Sequence, residues 1–568
     1  MTNAVRPSLR PEPSFAELFT PKLVTVLREG YGLASLRADV IAGVTVAMVA
    51  LPLSMAIAKA SGMTPDRGLY TAIIGGFLIS ALGGSRFQIG GPAGAFIVLV
   101  ASVIERHGID GLLLATLMAG VFLLAIGFLR LGTYIKYIPH PVTVGFTSGI
   151  AVIIFASQIT DLLGLTLPGR EPAAFLPKLA AIRDALPTVT PAAVAVALAS
   201  IALILILRRL RPHWPGFLVA IVAAAGMAAV LSWMGYPIAT IGSKFGGIPS
   251  TLPAPALPPI SFARMADLLP DALAIALLGG IESLLSAVVA DGMSGRRHRS
   301  NCELVAQGFA NIGSAIFGGM CATGTIARTA TNVRAGGRSP IAGIVHSATL
   351  LVLMLVAAPL ASYIPLAALA AVLAIVSWNM AERVEFAAIL RRSRGDSAVL
   401  LVTFLLVVFR DLTEGIAVGV VMGSILFMHR MAQLVEVQTH APVIQTDVAD
   451  AEGAERVPYE GPPGADEVVV YTLTGPFFFG AAAEVAAVLD RIGQTPRVFV
   501  LDMSGVPFVD STAAQSLAGF VRKATRNGTR IVLSGASAGV RRVLDQHEIG
   551  EPDVTFTATV ADAMATKG

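Results

Sequence analysis

The sequence predicts a polytopic α-helical membrane protein of about 14 segments, followed by a soluble α/β domain. Three observations carry this prediction. Long apolar runs recur from residue 38 to residue 430. Two shorter runs, each opened by glycine and small residues, fall third and tenth in that series, one in each half. After Arg430 the pattern changes to strands alternating with helices. Composition agrees: of 568 residues, 55% are hydrophobic and only 14% charged. So few charges cannot cover a water-facing surface without leaving large apolar patches.

Residues 1–36 are polar and contain proline, with no apolar stretch of signal-peptide type, so they read as a cytoplasmic N-terminal segment. Residues 37–432 form the membrane domain. A spanning helix needs about 20 apolar residues. Candidates lie at 38–60, 67–83, 111–130, 141–159, 191–209, 214–235, 266–290, 302–317, 340–360, 364–378, 397–409 and 413–430. The two exceptional segments are 86–104 (RFQIGGPAGAFIVLVASVI) and 318–337 (GGMCATGTIARTATNVRAGG), each too short in apolar length to cross unaided. Counting both as half-spans gives two halves of about seven segments. An odd number per half makes the halves enter the membrane with opposite orientation, as an inverted repeat.

Loop charges set the orientation. Arg208, Arg209 and Arg211, then Arg296, Arg297 and Arg299, then Arg334 and Arg338, then Arg391, Arg392 and Arg394 fall in loops on one side. Arg67, Arg106 and Arg410 stand nearly alone on the other. The loop at 160–190, with Arg170, Lys178 and Arg183, is the exception. The positive-inside rule then places the N-terminus and the C-terminal domain in the cytoplasm, with the chain in a bacterial inner membrane.

Residues 433–466 read as a linker running into the soluble domain, which occupies 467–568. VVVYTL, RVFVLDMS and RIVLSG are strands. FGAAAEVAAVLDRI, STAAQSLAGFVRKATRNG and VRRVLDQHEI are helices, so a small sheet with helical crossovers is expected. Cys302 and Cys321 lie in apolar surroundings with no CxxC partner and are expected as two free buried thiols, with no metal and no cofactor.

The broken segments carry the functional expectation. A half-helix that begins inside the membrane aims unpaired N–H groups and its positive dipole end at the bilayer centre. Two such ends make an anion site without a fixed cation. Irregular backbone at that depth is tolerated only where it lines a cavity or packs on protein. The first half-helix is expected to start near Gly90, Gly91, Pro92, Ala93 and Gly94. The second is expected near Gly324, Thr325, Ile326, Ala327 and Arg328. Thr325 can cap the helix or donate to substrate, and Arg328 adds a full positive charge near the same point. Glu282, in the middle of ALAIALLGGIESLLSAVVADG, is a carboxylate at membrane depth and reads as functional by default, as a proton carrier or cation ligand. A structural pair with Arg328 is the plainer alternative. Ser286 shares the Glu282 face. Gln307, Asn311, His346 and Asn379 read as helix–helix hydrogen-bond partners.

These stretches resemble a known family. AGVTVAMVALPLSMAIAKASGMTPDRGLYTA (42–72) and IESLLSAVVADGMSGRRHRSNCELVAQGFANIGSAIFGG (281–319) are similar to the SulP family of sulfate permease and prestin-like anion transporters. VLDMSGVPFVDSTAAQSL (500–517) resembles the core of a STAS domain. The resemblance implies a core domain and a gate domain, a homodimer, and an elevator-like movement of the core. By position it implies an anion held by Leu53 and Ile57 of segment 1, Ala93 and Gly94 of segment 3, and Thr325, Ile326, Ala327 and Arg328 of segment 10. It places Glu282 of segment 8 in the same site, where Glu282, with Ser286 on its face, is expected to couple transport to a proton or a cation. Sodium-coupled bicarbonate members place a small hydroxyl residue where Ile326 stands, which turns the expectation from sodium toward the proton. GGSRF followed by GPAGAF is most similar to the four-carbon dicarboxylate branch. Asp510, Ser511 and Thr512 match the turn phosphorylated in anti-sigma antagonists, and Ser511 is expected either as a regulatory phosphosite or simply as the cap of the following helix.

The expected function is secondary active transport of a small inorganic or organic anion (fumarate, succinate or sulfate), proton-coupled. Sodium-coupled bicarbonate uptake is the alternative within transport; a passive channel or a transport-dead sensor is the alternative outside it. The expected partners are the anion, the proton, membrane lipid, a second copy of the chain, and a cytoplasmic protein met through the STAS domain. No nucleic-acid signature is present. No nucleophile–base constellation or P-loop supports an enzyme.

Overall fold

The computed structural model describes residues 14–565 apart from 134–137, 170, 173, 212–213, 411, 435, 438–440, 443–467, 480–481 and 483–495. Two compact units result, Met1–Val420 and Val421–Gly568.

Nine helices among the described residues are long and apolar enough to span a membrane. One of them, Gly94–Phe128, is two segments in one. Its backbone breaks at Gly108 (φ 70°, ψ −174°), a conformation glycine adopts without steric cost, so segment 3 passes directly into segment 4. The shorter helices complete the set. Segment 2 runs from 65 to 82 through a π-helical turn at Thr71–Gly75. Segment 9 is Ser300–Ile316, segment 10 Ile326–Arg334 and segment 13 Arg394–Phe409. With Leu33–Ala60 as segment 1 and Leu412–Ala432 as segment 14, the fourteen segments expected from the sequence are present.

Their packing sorts them into two groups. Segments 1 to 4 pack with segments 8 (Leu269–Ser294) to 11 (Ile341–Ala361), forming the core. Segment 5 (His140–Leu162) packs against segments 12 (Leu366–Met380) and 13, and segment 6 (Pro191–Leu210) against segments 7 (Gly216–Trp233) and 12, forming the gate. Small residues allow the close approaches. A Cβ on Gly120 would overlap the backbone of segment 9, and one on Gly145 the backbone of segment 13.

Two short helices precede segment 1, Phe15–Phe19 and Lys22–Glu29. Ser14 and Glu17 form a capping box on the first. Both helices are tied to the core. The Arg86 guanidinium donates to both Glu29 carboxylate oxygens (2.5 and 2.7 Å), and Arg299 donates to the Thr20 carbonyl at 2.6 Å. Polar composition alone did not predict them.

In the membrane unit β1 (Gly90–Gly91) pairs with β2 (Thr323–Gly324); in the second unit the described residues form a six-stranded sheet. β3 (Glu436–Val437) and β4 (Ala441–Pro442) form its antiparallel edge, β3 pairing with β5 (Val468–Thr474). β5, β6 (Val498–Gly505), β7 (Arg530–Ser534) and β8 (Val554–Thr557) are then parallel. The three strands read from sequence are β5, β6 and β7; the parallel β8 was not anticipated. The helices Ser511–Arg526 and Ala538–Gln546 match expectation. The expected helix at FGAAAEVAAVLDRI and most of the expected linker lie outside the described residues, as does Arg170.

Candidate functional site

The two broken segments meet each other. β1 (Gly90–Gly91) pairs antiparallel with β2 (Thr323–Gly324), Gly90 opposite Gly324 and Gly91 opposite Thr323. This backbone ladder satisfies polar groups that would otherwise be orphaned inside the membrane. It needs bare backbone on both sides. A Cβ on Gly324 would overlap the Gln88 side chain, and one on Gly91 the Arg328 guanidinium. The π-turn of segment 2 is shaped around the same crossover, since Thr71 Oγ1 accepts from Met320 N at 2.7 Å. Single π-turns inside α-helices recur at functional sites.

The half-helices start within the expected stretches, each after a short extended piece. Of Gly90 to Gly94, only Gly94 lies in a helix; Gly90 and Gly91 are extended, and Ala93 is the N-cap of the turn Gly94–Phe96 that leads into segment 3. Of Gly324 to Arg328, Gly324 is in β2 and Thr325 is the N-cap of segment 10. Neither cap supplies a side-chain bond to its helix. Ala93 has no polar side chain, and the Thr325 hydroxyl donates instead to the Ile89 carbonyl at 3.4 Å. Thr325 therefore does not fill the capping role considered for it. Phe96 N donates to the Ala93 carbonyl at 3.2 Å, and neither helix start receives a side-chain acceptor from its cap residue. Ile326 and Ala327 are exposed, Ile326 by 39%, whereas Leu53, Ile57 and Ala93 are buried behind them.

Arg328 is 1% exposed. Its Nη1 donates to the Gly90 carbonyl at 3.3 Å and its Nη2 to Ser54 Oγ at 3.0 Å, while Nε has no partner among the described residues. The guanidinium thus ties segment 10 to β1 and to segment 1 from behind the helix starts.

Glu282 is half-buried, and its Oε2 has no hydrogen-bond partner among the described residues. No ion pair joins it to Arg328 at up to 4.0 Å. The two make no direct contact, although each lies within the electrostatic reach of the other. Ser286 turns to segment 10, donating to Thr329 Oγ1 at 3.1 Å, and that oxygen accepts from Ile89 N at 3.1 Å. Both site serines, Ser54 and Ser286, hold the crossover in place. Among the described residues, no group of three or more His, Cys, Asp and Glu side chains could hold a metal. Both cysteines are free and buried.

Several residues at the site were not singled out from sequence. A Cβ on Gly94 would meet Met380 Sδ at 3.3 Å and Ile154 Cδ1 at 3.4 Å, so the gate stands directly over the start of segment 3. Thr329 and Gln88 organise the crossover through side chains whose type alone gave no signal. Glu303 did carry one, a carboxylate within an apolar run.

In the second unit Ser511 is exposed at the first position of its helix, and it is not the cap. Asp510 is: its Oδ1 accepts from Ala513 N at 2.8 Å while its Oδ2 accepts from Phe479 N at 3.0 Å.

Comparison with known proteins shows the family and the fold. Residues 36–403 match the model of the sulfate permease family, and residues 461–563 match that of the STAS domain. YvdB of Bacillus subtilis, provisionally named a sulfate transporter, is 40% identical, covering 92% of this chain and 96% of its own. The bicarbonate transporter BicA of a Picosynechococcus species is 31% identical over 90% of this chain and 91% of its own. The solved structure of the murine Solute Carrier 26 family member A9 anion transporter, in the inward-facing state, has the same fold: TM-score 0.82, 21% identity, 99% of this chain and 96% of that one. The chain belongs to the sulfate permease family of polytopic anion transporters and ends in a STAS domain.

Proposed function

We propose that the chain is a secondary active carrier of a small oxyanion, bound between the starts of segments 3 and 10 and driven by protons through Glu282. One observation supports this above the others. Two helix starts lacking side-chain caps are held together by the β1–β2 ladder, with Arg328 buried behind them. Helix N-termini and a nearby fixed positive charge favour a small anion with several acceptor oxygens. Sulfate fits that description, as do bicarbonate and a four-carbon dicarboxylate such as fumarate or succinate. Movement of the core against the gate, with Met380 and Ile154 as the gate's wall, would expose the anion to either side in turn. The chain sits in the inner membrane, with its N-terminus and STAS domain in the cytoplasm, and acts as a carrier and not an enzyme.

The unpartnered Glu282 oxygen supports the coupling role. An intramembrane carboxylate with an oxygen left without a donor reads as a functional group by default. Sodium coupling, as a second reading, draws on the likeness to BicA. Against it, the Ile326 side chain offers no ligand.

Proteoliposome uptake of labelled sulfate, bicarbonate and fumarate, with imposed proton or sodium gradients, tests the proposal. At least one anion should accumulate with the proton gradient and ignore sodium replacement. Glu282→Gln should insert normally and lose pH-driven accumulation. Full accumulation by that variant would remove the coupling role, and sodium dependence would favour the second reading.

A further inference from the structure

Glu303, Gln307, Asn311 and Ser314 follow one another along segment 9 at spacings of four, four and three, so they share one face. All four are buried, none more than 1% exposed. That face meets the backbone of the crossover. Ser314 Oγ donates to the Met320 carbonyl at 2.6 Å. Asn311 bonds Ala322 in both directions, donating to its carbonyl at 2.8 Å and accepting from its N–H at 2.9 Å. Glu303 serves the other strand. Its Oε2 accepts from Gly84 N at 2.8 Å and Ser85 N at 3.0 Å. Its Oε1 accepts from Gln88 Nε2 at 2.9 Å and Gln307 Nε2 at 3.0 Å. Gln88 also donates to Ser283 Oγ at 2.6 Å, beside Glu282 in the chain.

Glu303 thus accepts four hydrogen bonds and has no ion-pair partner among the described residues. Four donors converge on one buried carboxyl group, which has the acceptor sites to take them all. Packing alone would be served by a neutral side chain. We infer that Glu303 is a positioning residue for the anion site. Its carboxylate fixes residues 84–88, which lead into β1, and through Gln88 links them to segment 8 next to Glu282. It thereby sets where the start of segment 3 stands relative to segment 10. The inference rests on the site proposed above.

Glu303→Gln keeps the shape but offers one acceptor oxygen where two stood, and turns an amide toward donors. The swap Glu303→Gln/Gln88→Glu moves the carboxylate across the same hydrogen bond. Two readouts on the full chain separate positioning from bulk stability: hydrogen exchange of residues 84–92, and uptake KM against Vmax per inserted protein, using whichever of labelled sulfate, bicarbonate or fumarate is carried. Glu303→Gln should speed exchange at 84–92 by tenfold or more and raise KM about tenfold, and the swap should restore much of both. A fall in Vmax alone, with KM and exchange unchanged, would overturn the inference. Arg328→Gln serves as the control for the site itself. If it raises KM and Glu303→Gln does not, only the positioning role fails; if neither raises KM, the proposed site is misplaced.

Discussion

At Gly91 the backbone takes φ +153°, and a Cβ there would overlap Arg328 Nη1. Two costs would fall together in Gly91→Ala: backbone strain, on the order of 1–3 kcal/mol, and displacement of a buried guanidinium from Gly90 and Ser54. We expect a lowered unfolding temperature in detergent and loss of uptake. Gly94→Ala is a useful contrast. Its Cβ would come to 3.3 Å from Met380 Sδ, the end of a flexible side chain that can give way, and no unusual φ is required. That variant should keep the wild-type unfolding temperature and show slower uptake, because the added methyl fills the space between core and gate. Equal unfolding temperatures for all three proteins would show that Arg328 is not locked behind the crossover. The two acids teach a related lesson. Glu282 stood out from the sequence and Glu303 was passed over, though both are carboxylates in apolar runs; the structure separates them, since one has an oxygen with no partner and the other accepts four bonds.

Helix length and glycine placement made the broken segments at 86–104 and 318–337 legible, and with them the halves of the fold. Their starting points were less so. Glycine and proline at 90–92 signal a break, but whether the broken stretch is a helix start or a strand depends on a partner in the other half of the chain. The Gly90–Gly324 pairing is that partner, and no local pattern in either segment announces it. The gate's contribution was invisible for the same reason: nothing marks Met380 or Ile154 apart from dozens of other apolar residues. In the STAS domain the turn at 510–512 was legible, with Ser511 open as phosphosite or cap; Asp510 holds the cap. Both are cap-forming residue types, and the assignment turns on one residue of helix register. This can be checked directly. Asp510→Ala should destabilise the helix Ser511–Arg526 by about 1 kcal/mol, read as faster hydrogen exchange across it in the full chain. Ser511→Ala should leave exchange unchanged. The reverse ranking would return the cap to Ser511.

For the membrane unit as a whole, what matters is how the core is fastened to the gate. Segment 1, which carries Leu53 and Ile57, ends at Ala60. One residue before that end, Lys59 forms an ion pair with Asp161, near the end of segment 5. The side chains are only 14% and 7% exposed. They border a cavity of about 1320 Å³ whose lining also includes Lys178, Lys244 and Arg264. Lys178 pairs in turn with Glu171 at 3.1 Å, which gives structural employment to part of the cation excess that made the 160–190 loop an exception to the charge rule. Lys59 belongs to the core and Asp161 to the gate, so under the carrier reading this contact must part whenever the core moves. Buried ion pairs contribute little net stability, because desolvation offsets their attraction, but breaking one by removing a single partner costs about 3–5 kcal/mol. Lys59→Met and Asp161→Leu should therefore each lower the unfolding temperature strongly. The double variant, which leaves no uncompensated charge, should recover most of the loss. A double-mutant cycle on unfolding in detergent measures that coupling. Uptake by the double variant then shows whether the pair also holds the core in place. A changed Vmax at unchanged KM is expected, because the contact lies away from the helix starts that would bind the anion. Strictly additive losses in the cycle would mean that core and gate are joined elsewhere.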